Sequence, residues 1–253
     1  MAKSVHAAII SWHGHHGKAH AIARELDGCV QRLSVVYSNQ SGQREDGPGN
    51  WIGIDDHSFF GPKFKEVLMA HGDEDFLLQI QADASHGSWH DLVGALKRAA
   101  DTRPRLGVWA PNIDSCFWTE RNTLIAPVPN TALHHVTHTD AIAWALSRDV
   151  VWRMHELDYE ANNLGWGIDT LANCYAASRG FDVLRDLSVT VCHDKGSGYD
   201  HDPARQQMNA FLQQMDDREE AFYQLFKAHF RAHNKLPKPR SLRKRWRNFW
   251  QGG

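Results

Sequence analysis

Apolar stretches alternate with segments of helical spacing through the first half of this chain, and this pattern most limits its fold. Short apolar runs predict strands over residues 5–10, 33–37, 75–80 and 106–110, the last ended by Pro111. Apolar residues at helical spacing predict helices over residues 18–26, 63–70 and 89–100. This order is typical of an α/β fold with a mainly parallel sheet flanked by helices.

The second half of the chain is less regular. Residues 202–233 have the spacing of one long helix or a helix pair, and two prolines separate it from a basic terminal segment. We therefore predict a main domain over residues 1–200 and a helical extension over residues 201–253. Residues 40–50 are Gly-rich, charged and without periodicity, which predicts a mobile loop.

Charge and cysteine content exclude several classes of protein. The formal net charge of −2 excludes a strongly basic nucleic-acid binder by bulk charge, although residues 235–250 contain seven basic residues and no acidic one. The four cysteines are scattered without short spacings, which favours reduced thiols over a disulfide framework or a zinc knuckle. We find neither a run of about 18 apolar residues nor a secretory signal, and expect a cytoplasmic protein.

The first chemically suggestive motif is Gln81-Ala82-Asp83-Ala84-Ser85, directly after a predicted strand. Ligands of open α/β sheets bind at the carboxyl ends of strands. A carboxylate at this place can hold a divalent cation that bridges two phosphates. The alternative is that Asp83 simply caps the next turn or helix.

The second motif is the segment Gly165-Trp166-Gly167-Ile168-Asp169 before a predicted helix. The two glycines would allow a ligand to approach the backbone, and the indole offers a flat surface for a sugar ring. Asp169 at the helix start could take a proton from an attacking hydroxyl. Here too, an N-cap role for the aspartate is the alternative.

The third motif follows a predicted strand that ends near Cys192. His193 lies between this strand and the Gly-rich turn of residues 194–199, where its imidazole could complete the ligands of a metal ion. A histidine at the end of a strand can equally be an ordinary surface residue.

Taken in this order, the three motifs resemble those of GT-A fold glycosyltransferases, particularly the family-two nucleotide-sugar transferases. The resemblance covers residues 5–200 and implies a Mn²⁺ or Mg²⁺ ion held by Asp83 and His193. It implies Asp169 as the base of an inverting transfer to an acceptor hydroxyl. One departure is that Gln81 stands where the family's Asp-x-Asp motif has its first aspartate.

The resemblance also assigns further residues to the two substrates. On the side of the nucleotide-sugar donor it places Ser11, Trp12, Ser38, Asn39, Gln81 and Asp83. Lys63, which follows Gly61-Pro62, could also meet a phosphate of the donor, or it could be a solvated lysine on a helix face. The acceptor side could be lined by Gly165, Trp166 and Gly167 of the second motif, and by Asp140 and Trp144, which precede it. The acceptor implied is a saccharide or a lipid-linked saccharide, as in the assembly of bacterial surface polysaccharide or lipopolysaccharide.

The basic terminal segment, residues 238–253, combines arginines and lysines with aromatic residues at helical spacing. This pattern favours peripheral contact with an anionic membrane at its inner face. The alternatives are a solvated basic terminus whose aromatic residues pack on the domain and, less favoured, phosphate contacts to nucleic acid.

Three other functions are open. One is a transferase acting on modified nucleic-acid bases, and another is a non-catalytic module that binds sugar or nucleic acid. The third is a metal hydrolase built on His13, His15, His16 and His20, which lacks the carboxylate of an HExxH-type site.

Overall fold

The computed structural model describes residues 3–193 and 200–234. Its core is one nine-stranded sheet with the order β3-β2-β1-β4-β8-β5-β9-β7-β6. The strands are β1 Val5–Ser11, β2 Arg32–Tyr37, β3 Asn50–Gly53, β4 Phe76–Gln81, β5 Leu106–Ile113, β6 Leu124–Pro127, β7 Leu133–Val136, β8 Ala143–Ser147 and β9 Asp182–Val191.

Helices cover both faces of this sheet. They are α1 His16–Leu26, α2 Phe60–Ala70, α3 Trp89–Thr102, α4 Glu120–Thr123, α5 Arg148–His155, α6 Ile168–Ser178, α7 His201–Phe211 and α8 Asp217–Asn234. Strand β1 shows how the two faces are separated. Val5, Ala7 and Ile9 belong to the core under α1 and α3, whereas Ala8 and Ile10 belong to the core under α2, α5 and α6. Such alternation follows from the two-residue period of a strand, and here both faces are buried.

The direction of the strands determines where the site lies. Strands β3, β2, β1 and β4 are mutually parallel, and β8 is antiparallel to both β4 and β5. Strand β9 is parallel to β5. Strands β1, β2, β4, β5 and β9 therefore all point the same way, and their carboxyl ends lie along one edge of the sheet. Ligands of open α/β sheets bind at such an edge.

The sequence predicted the α/β class correctly but missed two local features. The strand expected to end before Pro111 continues to Ile113, because the pairing with β9 shifts register between Pro111 and Asn112 and so accommodates the missing N–H of proline. The segment predicted as a mobile loop leads into a short strand, β3, that begins at Asn50. Within that segment Glu45 contacts His20 at 3.2 Å and thereby ties the loop to α1.

Helices α7 and α8 pack closely on the rest of the described structure. Of the two predicted alternatives, one long helix or a helix pair, the structure shows the pair, separated by a short 3-10 turn, Leu212–Gln214. The carboxylate of Glu219 on α8 is fully buried and accepts two hydrogen bonds from Arg153 on α5, at 2.7 and 2.9 Å. The division into two domains stays a prediction, and the basic segment 238–253 lies outside the described residues. No described helix has the length and apolar character to span a bilayer.

Candidate active site

Asp83 and His193 form the centre of the candidate site. Asp83 follows β4, His193 follows β9, and Nε2 of His193 lies 3.3 Å from Oδ2 of Asp83. The two segments are joined at this point because Ser85 and Cys192 exchange backbone hydrogen bonds of 2.9 and 2.8 Å. The structure thus brings together the two residues that the sequence predicted as metal ligands.

The surroundings of this pair are polar and open to solvent. A cleft of about 420 Å³ is lined by Lys18, Asp83, Ser85, Asp114, Ser115, Cys192 and His193. Burial raises the pKa of Asp83, but the hydrogen bond and charge of His193 outweigh it and hold the pKa below its ordinary value. Oδ1 of Asp83 is buried and has no hydrogen-bond partner among the described residues. This oxygen is available to a cation or another ligand.

Asp169 lies in the first turn of α6. The partial positive charge at the N-terminus of a helix stabilises a carboxylate there. Gly167 caps this helix in a left-handed conformation with φ of 88°. Oδ1 of Asp169 accepts a 2.7 Å hydrogen bond from the backbone N–H of Thr170, and Oδ2 accepts one of 3.1 Å from Nε1 of Trp118. The carboxylate is therefore held in one orientation by both of its oxygens.

The pKa of Asp169 is raised to about 7, chiefly by burial and then by the negative charge of Asp140. The helix terminus and the hydrogen bonds favour the ionised form, but burial and repulsion outweigh them. Asp140 itself has a pKa raised by burial, which exceeds the opposing effect of the hydrogen bond from Cys116. That thiol lies 2.9 Å from Oδ2 of Asp140. Two interacting carboxylates, one of them titrating near neutral pH, are an arrangement found in acid–base catalysis.

A buried arginine holds the backbone segments that lie next to the two carboxylates. Arg185 on β9 is 4% exposed, and its guanidinium donates to the backbone oxygens of Trp118 at 2.6 Å and His138 at 3.3 Å. The ring of His138 stacks on Trp118 with 4.0 Å between centroids. Arg185 thereby connects the segment that carries Trp118 to the segment that leads into Asp140.

The donor side predicted from the first two strands is only partly exposed. Trp12 and Asn39 are half-buried and lie at this edge of the sheet. Ser11 is fully buried and its Oγ lies 2.9 Å from Nδ1 of His16, while Ser38 is only 4% exposed. Lys63 is also fully buried, with its amine 5.1 Å from the ring of Trp12. Neither Ser11 nor Lys63 reaches the surface in this structure, so direct contact of either with the donor stays a prediction.

Three residues predicted for the acceptor side, Trp144, Gly165 and Gly167, are buried in this structure. Trp144 lies in β8, is fully buried and donates a 2.7 Å hydrogen bond to Gln79, so an acceptor cannot reach it. Gly165 and Gly167 have φ of 79° and 88°, and a side chain at either would meet Phe60 or Met208 respectively. Backbone conformation and packing are sufficient to explain both glycines, and the approach of a ligand at this segment stays a prediction.

The remaining predicted residues have clear positions. The ring of Trp166 is half-buried and lies 5.3 Å from that of His201. Gln81 donates a 3.2 Å hydrogen bond to the backbone oxygen of Ala141, next to Asp140. Gln81 thus holds the segment of Asp140 against β4, a role that an aspartate could not fill because a carboxylate has no N–H to donate.

Sequence reasoning missed Asp114, Cys116 and Trp118, which follow β5. Asp83 was identified because ligands bind at the carboxyl ends of parallel strands, and the same reasoning applies to the end of β5. It was not applied to these three residues because the strand was predicted to end before Pro111, whereas it continues to Ile113. Arg185 gave no such signal, because a buried arginine within a strand is not recognisable from sequence spacing.

The histidines of the hydrolase alternative do not converge. His13 contacts Asn39, His16 contacts Ser11, and His20 stacks on Trp51. Among the described residues, the one His/Glu group with metal-binding spacing is His6, His71 and Glu74, at the opposite edge of the sheet.

Comparison with known proteins identifies the fold. The chain matches no family model and no curated protein. Solved structures align over nearly its whole length. The structure of GalNAc-T7 with UDP, GalNAc and Mn²⁺ has a TM-score of 0.62 at 12% identity, covering 98% of this chain and 54% of that one. This is the GT-A fold.

Two further structures agree with that assignment. The S. aureus TarS 1–349 structure has a TM-score of 0.59 at 11% identity, covering 97% of this chain and 78% of that one. The mannosyltransferase PcManGT from Pyrobaculum calidifontis, in complex with GDP-Man and Mn²⁺, has a TM-score of 0.53 at 13% identity. That match covers 99% of this chain and 80% of PcManGT. The chain spans about half the length of GalNAc-T7.

Proposed function

We propose that the protein is a metal-dependent glycosyltransferase that moves a sugar from a nucleotide-sugar donor to a saccharide acceptor. The observation that carries this proposal is the meeting of Asp83 and His193 at 3.3 Å, at the sheet edge that also presents Asp140 and Asp169. The GT-A fold supports it, as do the Mn²⁺ ions and nucleotide ligands of GalNAc-T7 and PcManGT.

The residues present fit a divalent cation. Asp83 offers a buried oxygen without a partner, and His193 offers an imidazole nitrogen beside it. Oxygen ligands suit Mn²⁺ and Mg²⁺, and an imidazole beside them is compatible with Mn²⁺. When bound, such an ion neutralises charge on the departing nucleoside diphosphate. Lys18 lines the same cleft and adds a positive charge.

Asp169 acts as the base in this proposal. The acceptor hydroxyl loses its proton to an oxygen of Asp169 while its own oxygen bonds to the anomeric carbon. The bond from that carbon to the diphosphate oxygen breaks, and the electron pair leaves with the diphosphate. The raised pKa of about 7 makes the ionised Asp169 a stronger base than an ordinary carboxylate. A single displacement of this kind inverts the anomeric configuration.

The proposal is tested with the purified full-length chain and a panel of nucleotides and nucleotide-sugars. We expect UDP or GDP to raise the melting temperature only when Mn²⁺ is present, because a ligand bound by the native state alone stabilises it. The Asp83→Asn variant should lose this rise, and Asp91→Asn, an exposed residue of α3, should keep it. A chain that is stabilised by no nucleotide with Mn²⁺, and hydrolyses no nucleotide-sugar, contradicts the proposal.

We further propose that the acceptor is a saccharide or lipid-linked saccharide of bacterial surface polysaccharide assembly. The basic and aromatic sequence of residues 238–253 supports this, because such a segment favours an anionic membrane surface. Deleting residues 238–253 should abolish sedimentation with anionic liposomes and spare donor hydrolysis. Full-length protein that ignores such liposomes at low salt but retards nucleic acid would instead favour the transferase acting on modified bases.

A further inference from the structure

A second cluster of possible metal ligands lies at the edge of the sheet opposite the candidate active site. His6 is near the start of β1, His71 directly follows α2, and Glu74 precedes β4. His6 and Ser11 are five residues apart on β1, so the cluster lies about 17 Å from the carboxyl end of that strand. The proposed transferase chemistry does not use it.

The side chains of the cluster are arranged as ligands of one ion. Nδ1 of His6 and Nδ1 of His71 point at each other across 3.3 Å. Two nitrogens bound to tetrahedral zinc at 2.0–2.1 Å lie about 3.3–3.4 Å apart. Oε2 of Glu74 is 4.0 Å from Nδ1 of His71, and a shift of about 0.7 Å gives the same spacing. Ligand atoms of all three residues lie within 4.8 Å of one another.

Neighbouring groups hold the side chains of His6 and Glu74 in place. Nε2 of His6 lies 2.6 Å from Oγ of Ser34 on β2, a contact that directs Nδ1 toward the cluster. Oε1 of Glu74 accepts a 2.8 Å hydrogen bond from Nε of Arg32. Metal-binding histidines and carboxylates in proteins are oriented by such partners. Burial is the largest cause of a lowered pKa at both histidines, to about 3 at His6.

The cluster also borders open space. A cleft of about 300 Å³ is lined by Leu68, His71, Gly72, Val151, Trp152 and His155. It gives a solvent molecule access to the side of His71. Nε2 of His71 is buried and has no partner among the described residues, so this ring is not held in place by a hydrogen bond on its other side.

We propose that His6, His71 and Glu74 bind a zinc ion, with water as the fourth ligand. Two imidazoles and one carboxylate suit Zn²⁺ better than Mn²⁺ or Mg²⁺, which favour oxygen ligands. The ion joins the start of β1 to the connection between α2 and β4. It stabilises the sheet at the edge away from the donor and takes no part in transfer.

The test measures zinc on the purified full-length chain by elemental analysis, and Co²⁺ binding by visible absorption. We expect about one zinc per chain after loading and dialysis, and tetrahedral Co²⁺ bands in the metal-exchanged protein. His71→Gln and the isosteric Glu74→Gln should each lose most of the zinc and the bands. His90→Gln, which replaces an exposed histidine, should keep both.

A further variant separates this site from the candidate active site. The double variant Asp83→Asn, His193→Gln should retain zinc and the Co²⁺ bands, although it loses nucleotide binding in Mn²⁺. Zinc lost from this double variant and retained by Glu74→Gln would overturn the proposal and assign the metal to the active site. Wild-type protein that takes up no zinc and gains no thermal stability from it would overturn it as well.

Discussion

The indole Nε1 of Trp118 donates a 3.1 Å hydrogen bond to Oδ2 of Asp169, which joins the segment after β5 to the start of α6. This contact lets one tryptophan control both the direction and the acidity of the proposed base. Trp118 is held in turn by Arg185 through its backbone oxygen and by the stacked ring of His138. The geometry of the base therefore depends on two buried residues, Arg185 and His138, which act through Trp118.

The pH dependence of transfer should report the raised pKa of Asp169. Below about pH 7 the carboxyl is protonated and cannot accept a proton, so kcat/KM should rise about tenfold per pH unit and then level off. Removing the charge of its neighbour in Asp140→Asn should move this limb to lower pH, because Asp140 raises the pKa of Asp169. Rate profiles of both proteins at saturating Mn²⁺ measure the shift. If the acidic limb of the pH profile lay at the same pH in the wild type and in Asp140→Asn, the proposed effect of Asp140 on the pKa of Asp169 would be contradicted.

Replacing Trp118 should impair the base without unfolding the protein. Trp118→Phe removes a hydrogen bond that orients the ionised Asp169, of a kind worth about 1.5–3 kcal/mol. Because the carboxylate is then free to turn away from the acceptor hydroxyl, kcat should fall about tenfold or more. The same change should move the acidic limb of the pH profile upward, since the lost bond favours the carboxylate. Trp152→Phe, at an indole residue that is 60% exposed, is the matched control and should behave as wild type. Equal kcat in the two variants would remove Trp118 from the proposed mechanism.

Loss of either proposed metal ligand should weaken binding only when metal is present. In Asp83→Asn or His193→Gln we expect the affinity for UDP in Mn²⁺ to fall at least about tenfold, with metal-free affinity unchanged. Titration calorimetry with and without Mn²⁺ makes the comparison, and Asp91→Asn serves as control. Wild-type affinity in both ligand variants would exclude a shared ion at this pair.

Asp169→Asn should inactivate the protein and stabilise it. The folded-state pKa of about 7 lies above the ordinary 3.8, so the folded chain binds more protons than the unfolded chain between these values. The free energy of unfolding therefore falls as pH rises from about 4 to 7, and an amide removes this loss. Allowing for partial solvent exposure, we expect the Asp169→Asn variant to gain about 1–2 kcal/mol at pH 8 and almost nothing at pH 4. Urea unfolding at both pH values measures the difference.

Two glycines in first helical turns should respond oppositely to alanine. Gly17 in α1 has open space where a Cβ would stand, so Gly17→Ala should stabilise the protein by about 0.5–1 kcal/mol. At Gly61 in α2 a Cβ would collide with the backbone oxygen of Asn162. Gly61→Ala should therefore destabilise the protein by about 1–3 kcal/mol. If thermal unfolding showed Gly61→Ala to be as stable as Gly17→Ala or more stable, the close packing of α2 against the backbone of Asn162 would be contradicted.

The sequence was sufficient to predict the α/β class and the main pairing at the site, for a physical reason. Asp83 and His193 each follow an apolar strand, and parallel strands bring their carboxyl ends together. Burial could not be predicted in the same way. Lys63 and Ser11 look like polar surface residues in sequence, and only the packing of α2 and α1 against the sheet shows that both are enclosed.

Contacts between residues of separate strands and helices could not be predicted from the sequence either. Trp144 has a flat indole ring of the kind that stacks on sugars, but its place in the middle of β8 puts it inside the core. The raised pKa of Asp169 depends on Asp140 and on enclosure by other segments, which no local pattern encodes. The cluster of His6, His71 and Glu74 is assembled from three separate elements and has no recognisable spacing.

The packing of α8 has a consequence for synthesis of the chain. Phe226 lies 5.6 Å from the ring of His138, and Phe230 lies 5.4 Å from that of Trp118. Translation at about 5–20 residues per second separates Trp118 from the end of α8 by roughly 6–25 s. During that interval the nascent chain carries the β5 end and its tryptophan without the helix that covers them. The proposed base is thus fully supported only after translation has passed α8.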